Sequence, residues 1–199
     1  MACPPLKARR RANSSNLQNR TDVRFGPIND IGGRIYSNTQ RKNSFNDLSV
    51  MLTTAEEMLI SGRCHCGNIS FALDWRPKPS EIPARACTCS FCAKHGGVWT
   101  SCPTGSLTVS VKDRARLSKY AFGTKTAEFN VCTACGVVPV VTSRIDGRLY
   151  AVVNVNAFEN VEPALLRHSP STFEGENEQA RLRRRKRNWI ADVQFEATS

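Results

Sequence analysis

The chain has no apolar run able to cross a bilayer. Its densest apolar stretch, residues 137–141, is interrupted by Pro139 and falls far short of the roughly 20 residues a span needs. A secretory leader is not expected either: the first 20 residues are basic and hold no acid, yet no apolar block follows them. That composition is compatible with an organellar transit peptide, but a disordered extension is the blander expectation. The even scatter of cysteines that marks a disulfide framework is also lacking. These absences predict a chain without a membrane partner, working in a reducing compartment, the cytoplasm.

Acidic residues are scarce relative to basic ones: 17 Asp and Glu against 28 Lys and Arg give a net charge of +11. An excess of this size suggests nucleic acid as a partner, but its distribution argues against that. Residues 1–57 hold nine bases against five acids, residues 58–177 thirteen against nine, and residues 178–199 six against three. One cluster stands out, Arg181-Leu182-Arg183-Arg184-Arg185-Lys186-Arg187. Residues 176–188 are predicted to be a helix with acids early and bases late, which suits its dipole. The arginine run is then expected to be a solvated face, with a nucleic-acid patch as the alternative.

Cysteine is the abundant and ordered feature. Seven of nine fall into three clusters: Cys64-His65-Cys66, Cys87-Thr88-Cys89-Ser90-Phe91-Cys92 and Cys132-Thr133-Ala134-Cys135. C-x-C and C-x-x-C spacings put two thiolates on one side of a tight turn, and two such knuckles complete a tetrahedral zinc site. Gly67 and Gly136 sit where such turns need them. Joining Cys64 and Cys66 to Cys132 and Cys135 through one ion would staple early strands to late ones, so that binding energy becomes folding energy. Three cysteines are left, and three ligands with a free fourth position is the pattern of a catalytic zinc. Two zinc ions per chain are therefore expected. Of the two unclustered cysteines, Cys3 reads as a tail thiol and Cys102 as a small buried residue.

The organisation around these clusters is mainly β. Residues 1–57 are rich in Asn, Ser, Arg and Gln without a sustained period and read as a disordered extension. Residues 58–196 read as one zinc-binding domain of short antiparallel strands with brief helical turns and a C-terminal helix. Strands are predicted over 59–63, 69–73, 98–101, 107–111, 117–122, 127–131, 137–143, 148–155 and 189–196, with a helical turn over 90–95 ended by Gly96-Gly97. Pro77, Pro79 and Pro83 predict a loop that cannot join a central strand. Asp146-Gly147 predicts a two-residue hairpin turn.

The middle cluster carries the functional question. Cys87, Cys89 and Cys92 can hold one zinc from a strand end and a helical turn, while His95, three residues on, offers a Cys₃His closure instead. His65 reads as a surface or supporting residue. Zinc with three thiolates has a net charge near −1 and acidifies water weakly, so its suited fourth ligand is a substrate thiolate that attacks or releases an aldehyde carbon.

The order C-H-C-G-x-x-x-F from Cys64 to Phe71, C-x-C-S-x-C from Cys87 to Cys92 followed by Gly-Gly, and C-x-x-C-G from Cys132 to Gly136 resembles the glutathione-dependent formaldehyde-activating enzyme family, which includes centromere-protein-V-like members. Asn154-Val155-Asn156 and the His168…Phe173-Glu174-Gly175 segment add to the likeness. The resemblance implies an Mss4-like fold. It also implies a structural zinc on Cys64, Cys66, Cys132 and Cys135 and a catalytic zinc on Cys87, Cys89 and Cys92. The reaction it implies joins formaldehyde to glutathione as S-(hydroxymethyl)glutathione, or reverses that, a carbon–sulfur lyase chemistry. Departures are Val137-Val138-Pro139-Val140, where relatives often carry Thr and an aromatic, and Glu174, where Asp is common.

Lys94 is a candidate partner for a glutathione carboxylate, against the bland reading of a solvated lysine. The competing functions are a non-catalytic zinc module that binds nucleic acid or protein through basic flanks, and a redox sensor built on exposed zinc thiolates.

Overall fold

A computed structural model describes residues 56–197, so Cys3 and all but the last two residues of the expected extension lie outside the described residues. The described chain runs β1 (Met58–Arg63), β2 (Ile69–Trp75), β3 (Ile82–Cys87), α1 (Ser90–His95), β4 (Val98–Thr100), β5 (Ser106–Val111), β6 (Leu117–Tyr120), β7 (Glu128–Cys132), β8 (Val140–Ile145), β9 (Arg148–Asn154), β10 (Leu166–Ser171), α2 (Glu178–Asn188) and β11 (Asp192–Ala197). The strands form a four-stranded sheet in the order β1-β2-β5-β11 and a seven-stranded sheet in the order β10-β3-β4-β9-β8-β7-β6. This is the mainly β, Mss4-like architecture the sequence predicts.

Alternation explains the small sheet. In β2, Ile69, Phe71, Leu73 and Trp75 are buried and the residues between them are half-exposed. Register lines these up across strands: Ile60 lies opposite Leu73, Leu73 opposite Leu107, and Phe71 opposite Val109. This face packs with Ile82, Val140, Ala151 and Val153 of the large sheet in one apolar cluster, each large aliphatic contributing about 1.5–3 kcal/mol. Strands β8 and β9 are buried on both faces. Val140 and Val153 enter that core, while their neighbours Val141 and Val152 turn to a second, smaller cluster with Cys92 and Trp99. The large sheet thus carries the main core on one face and this smaller cluster on the other.

The predicted hairpin turn is present, with Asp146 at φ 48° and Gly147 at φ 78°, the two positive angles a type I′ turn requires. Three features differ from expectation. Pro83 lies inside β3. The amide of Cys87 bonds the Gly97 carbonyl on the β4 side, so by alternation the position of Pro83 faces that side too. There β4 pairs only with Arg85 and Ala86, and the missing N–H deprives no partner. Strand β10 was not predicted, because it is an edge strand with mostly exposed side chains, held by backbone pairing to β3. Finally, pairing is antiparallel except at β10·β3 and β11·β5, which are parallel and joined through long crossovers. No described helix is long and apolar enough to cross a membrane.

Candidate metal centres and the cavity beside them

Two groups of cysteines converge. The sulfurs of Cys64, Cys66, Cys132 and Cys135 all lie within 4.8 Å of one another, with Cys64–Cys66 at 3.7 Å and Cys66–Cys132 at 3.4 Å. A tetrahedral zinc with 2.3 Å bonds sets its sulfurs about 3.8 Å apart, so the donor set fits such an ion. Turn geometry makes this cage. Cys64 and Cys66 occupy the β1–β2 connection, while Cys132 ends β7 and Cys135 lies in the β7–β8 connection. Gly67 at φ 73° donates its amide to the Cys64 carbonyl, and Gly136 at φ 76° does the same to Cys132. The Ile69 amide points at the Cys64 sulfur, 3.3 Å away. Because β1–β2 belongs to the small sheet and β7–β8 to the large one, an ion here ties the two sheets together. His65 is exposed.

The sulfurs of Cys87, Cys89 and Cys92 also lie within 4.8 Å of one another, and no fourth His, Cys, Asp or Glu joins them among the described residues. Cys87 ends β3, and Cys89 is the N-cap of α1, its sulfur accepting the Cys92 amide at 3.4 Å. The Trp99 indole N–H donates to the Cys92 sulfur at 3.3 Å. Gly97 leaves room for that indole, since a Cβ there would sit 3.0 Å from the ring and 3.1 Å from Cys92. The hydrogen bond from Cys92, opposed by burial and helped by the Cys89 amide and Arg184, holds the Cys87 thiol down to about 5. The same bond to Cys87, together with burial, pushes the Cys92 thiol up. One thiolate is therefore ready at neutral pH, and each cluster is chemically suited to a zinc ion. His95 is outside the group; exposed at the end of α1, its ring lies tilted against Phe91 with centroids 4.4 Å apart. Cys102 is buried, as expected.

The three sulfurs face a cavity of about 680 Å³. One wall is apolar, with Trp99, Phe122, Phe129, Val141 and Val152. The other is basic, made of Arg85 from β3 and Arg181, Arg184 and Arg185 from α2. The helix begins where Asn177 caps the Ala180 amide at 2.9 Å. Its positions 181, 184, 185 and 188 share one side, the i, i+3, i+4, i+7 pattern, and all four line the cavity. Arg185 is only 6% exposed and donates to the Thr126 carbonyl and hydroxyl, both at 2.8 Å, and to Ser143 at 3.3 Å. Burial, then Arg184 and Arg181, lower its pKa to about 10. Arg184 forks onto Glu176 at 2.8 and 2.9 Å and lies 3.7 Å over the Phe173 ring.

The solvated-face reading of the arginine run therefore holds for Arg183, Lys186 and Arg187, which are exposed, and fails for Arg181, Arg184 and Arg185. The missed signal was their helical spacing, which an apolar face would have made obvious. Lys94 is exposed and lines no part of the cavity. Of the resembling segments, Phe173 and Glu174 line it, while Asn156 holds the Gly96 carbonyl at the end of α1 at 2.7 Å. His168 is exposed on β10.

A family model for the glutathione-dependent formaldehyde-activating enzyme matches residues 59–174. A crystal structure of a Rhodobacter sphaeroides protein from a structural-genomics programme is similar at 31% identity, covering 52% of this chain and 92% of that one, with a TM-score of 0.41. No curated protein matches.

Proposed function

The chain belongs to the glutathione-dependent formaldehyde-activating enzyme family, and from that premise we propose that it is a zinc-dependent carbon–sulfur lyase acting on glutathione–formaldehyde adducts or a closely related thiol and aldehyde. Cys64, Cys66, Cys132 and Cys135 hold a structural zinc; Cys87, Cys89 and Cys92 hold a catalytic one. The observation that carries this reading is the convergence of three sulfurs, with no fourth described protein ligand, on the floor of a substrate-sized cavity. When bound there, zinc supplies a soft, weakly charged Lewis acid whose suited fourth ligand is a thiolate.

The chain's own residues do the rest. Trp99 fixes the Cys92 sulfur and draws charge from it. Cys89 sets the first turn of α1, so all three sulfurs arrive in one orientation. The apolar wall around Phe122 and Phe129 disfavours water, which otherwise holds formaldehyde as its hydrate. In the forward direction the substrate sulfur bonds to the carbonyl carbon, the carbonyl π pair moves to oxygen, and the proton given up by the thiol ends on that oxygen. The reverse sequence releases the aldehyde, and neither direction needs an oxidant.

The test compares wild type with Cys89→Ala for zinc content, glutathione binding and exchange between formaldehyde and glutathione followed by NMR. Wild type is expected to carry two zinc ions and accelerate exchange. The variant is expected to fold with one ion and to lose about 100-fold or more of the rate. A two-zinc wild type that neither binds glutathione nor speeds exchange overturns the reading.

A further inference from the structure

Helix α2 lies wholly beyond residues 59–174, the part matched by the family model, yet it supplies three of the four guanidinium groups in the cavity. Among these, only Arg184 has a carboxylate partner, Glu176. Arg185, the most buried, bonds only neutral oxygens of Thr126 and Ser143, and its Nε is buried without a partner. The Nε of Arg181 is in the same state, while its Nη2 reaches only backbone carbonyls of Phe173 and Glu176. Arg85 bonds the Ser101 hydroxyl. Glu174 is the one acidic side chain in the lining, and it is exposed.

Gathering several guanidinium charges in a partly dry space, with donors left idle, is costly unless an anion completes it. Folding alone does not ask for it: an amphipathic helix packs with leucines at those positions. Arginine forks match the two oxygens of a carboxylate in a way a lysine does not. We propose that the face of α2 carrying Arg181 and Arg185 is the specificity element of the site, selecting thiol–aldehyde adducts that bear free carboxylates. Arg181 and Arg185 grip the carboxylate end while the sulfur end meets the Cys87, Cys89 and Cys92 cluster. This deepens the function proposed above and rests on it for the sulfur end only. Arg184 is held back by Glu176 and shapes the wall without taking the ligand.

The experiment is calorimetric titration of the zinc-loaded full chain with glutathione, glutathione diethyl ester and glutarate. Wild type is expected to bind glutathione at least about 10-fold more tightly than its ester, and to bind glutarate weakly. Arg181→Gln, at a half-buried position that leaves the Arg185 anchor intact, is expected to weaken glutathione about 10- to 100-fold, abolish glutarate binding and leave the ester unchanged. Arg181→Lys restores part of the preference. Cys89→Ala, by contrast, weakens glutathione and ester alike. Equal binding of glutathione and ester, or an equal loss of both in Arg181→Gln, overturns the carboxylate wall and leaves the lyase reading standing. If glutarate binds wild type but not Arg181→Gln while glutathione fails to bind, the wall stands and the lyase reading falls. Should none of the three probes bind, the wall is overturned.

Discussion

The two cysteine clusters gather the same atom in different ways, and the difference lies in what carries it. Cys64, Cys66, Cys132 and Cys135 sit on two hairpin turns from two sheets, with Cys64 and Cys132 fully buried and all four sulfurs spent on one another. Cys87, Cys89 and Cys92 come from one strand end and the helical turn after it, with open space in front of them. A cage made from distant turns constrains the chain; a cage made from one short segment constrains only itself. On the function proposed above, ligand count and sequence separation would divide the labour: scaffold in one place, chemistry in the other.

The sharpest test of that division is to break each cage in turn. Cys132→Ser is expected to cost about 5 kcal/mol or more, comparable to the whole stability of such a domain, and to leave no cooperative melt by circular dichroism. Cys89→Ala, in the same assay, is expected to melt cooperatively within a few degrees of wild type. Collapse of both variants would erase the distinction. A smaller effect separates the clusters by their surroundings. Trp99→Phe removes the indole N–H from the Cys92 sulfur, so zinc affinity is expected to fall about 10-fold at the three-cysteine site and not at the other, read by competition with a chelator. The smallest effect is in pH. Arg184 beside Glu176 holds that carboxyl below its ordinary 4.5, so the pair adds stability above that pH and loses it as pH falls through the lowered value. Glu176→Gln is expected to cost about 1 kcal/mol at pH 7. The gap to wild type should close in acid denaturation below pH 4.5.

What could be read from sequence alone was local. The knuckles, the turn at Asp146-Gly147 and the helical turn at Ser90–His95 announce themselves because short spacings and glycine conformations decide them. The three-sulfur cluster was legible for the same reason. Strand β10 was not, since a parallel edge strand is selected by backbone pairing that leaves no pattern in Leu166–Ser171. The inward face of α2 was hidden for a different reason. Arginine is ordinarily solvated, so Arg181, Arg184 and Arg185 read as surface until the cavity they line is seen. Pro83 shows the limit of a sound rule, because the ban on strand prolines applies only where the neighbour needs the amide.

The four-cysteine staple also has a history in time. Cys66 and Cys132 are 66 positions apart. At synthesis rates of about 5–20 residues per second, the first knuckle waits roughly 3–13 s for its partner. During that wait the sulfurs of Cys87, Cys89 and Cys92 have already emerged, and they are the only other clustered thiols within reach. Metal delivered early meets the wrong set of companions for Cys64 and Cys66; metal delivered late meets the right one. On the zinc assignment proposed above, the schedule of metal supply to a nascent chain would decide which cage closes first.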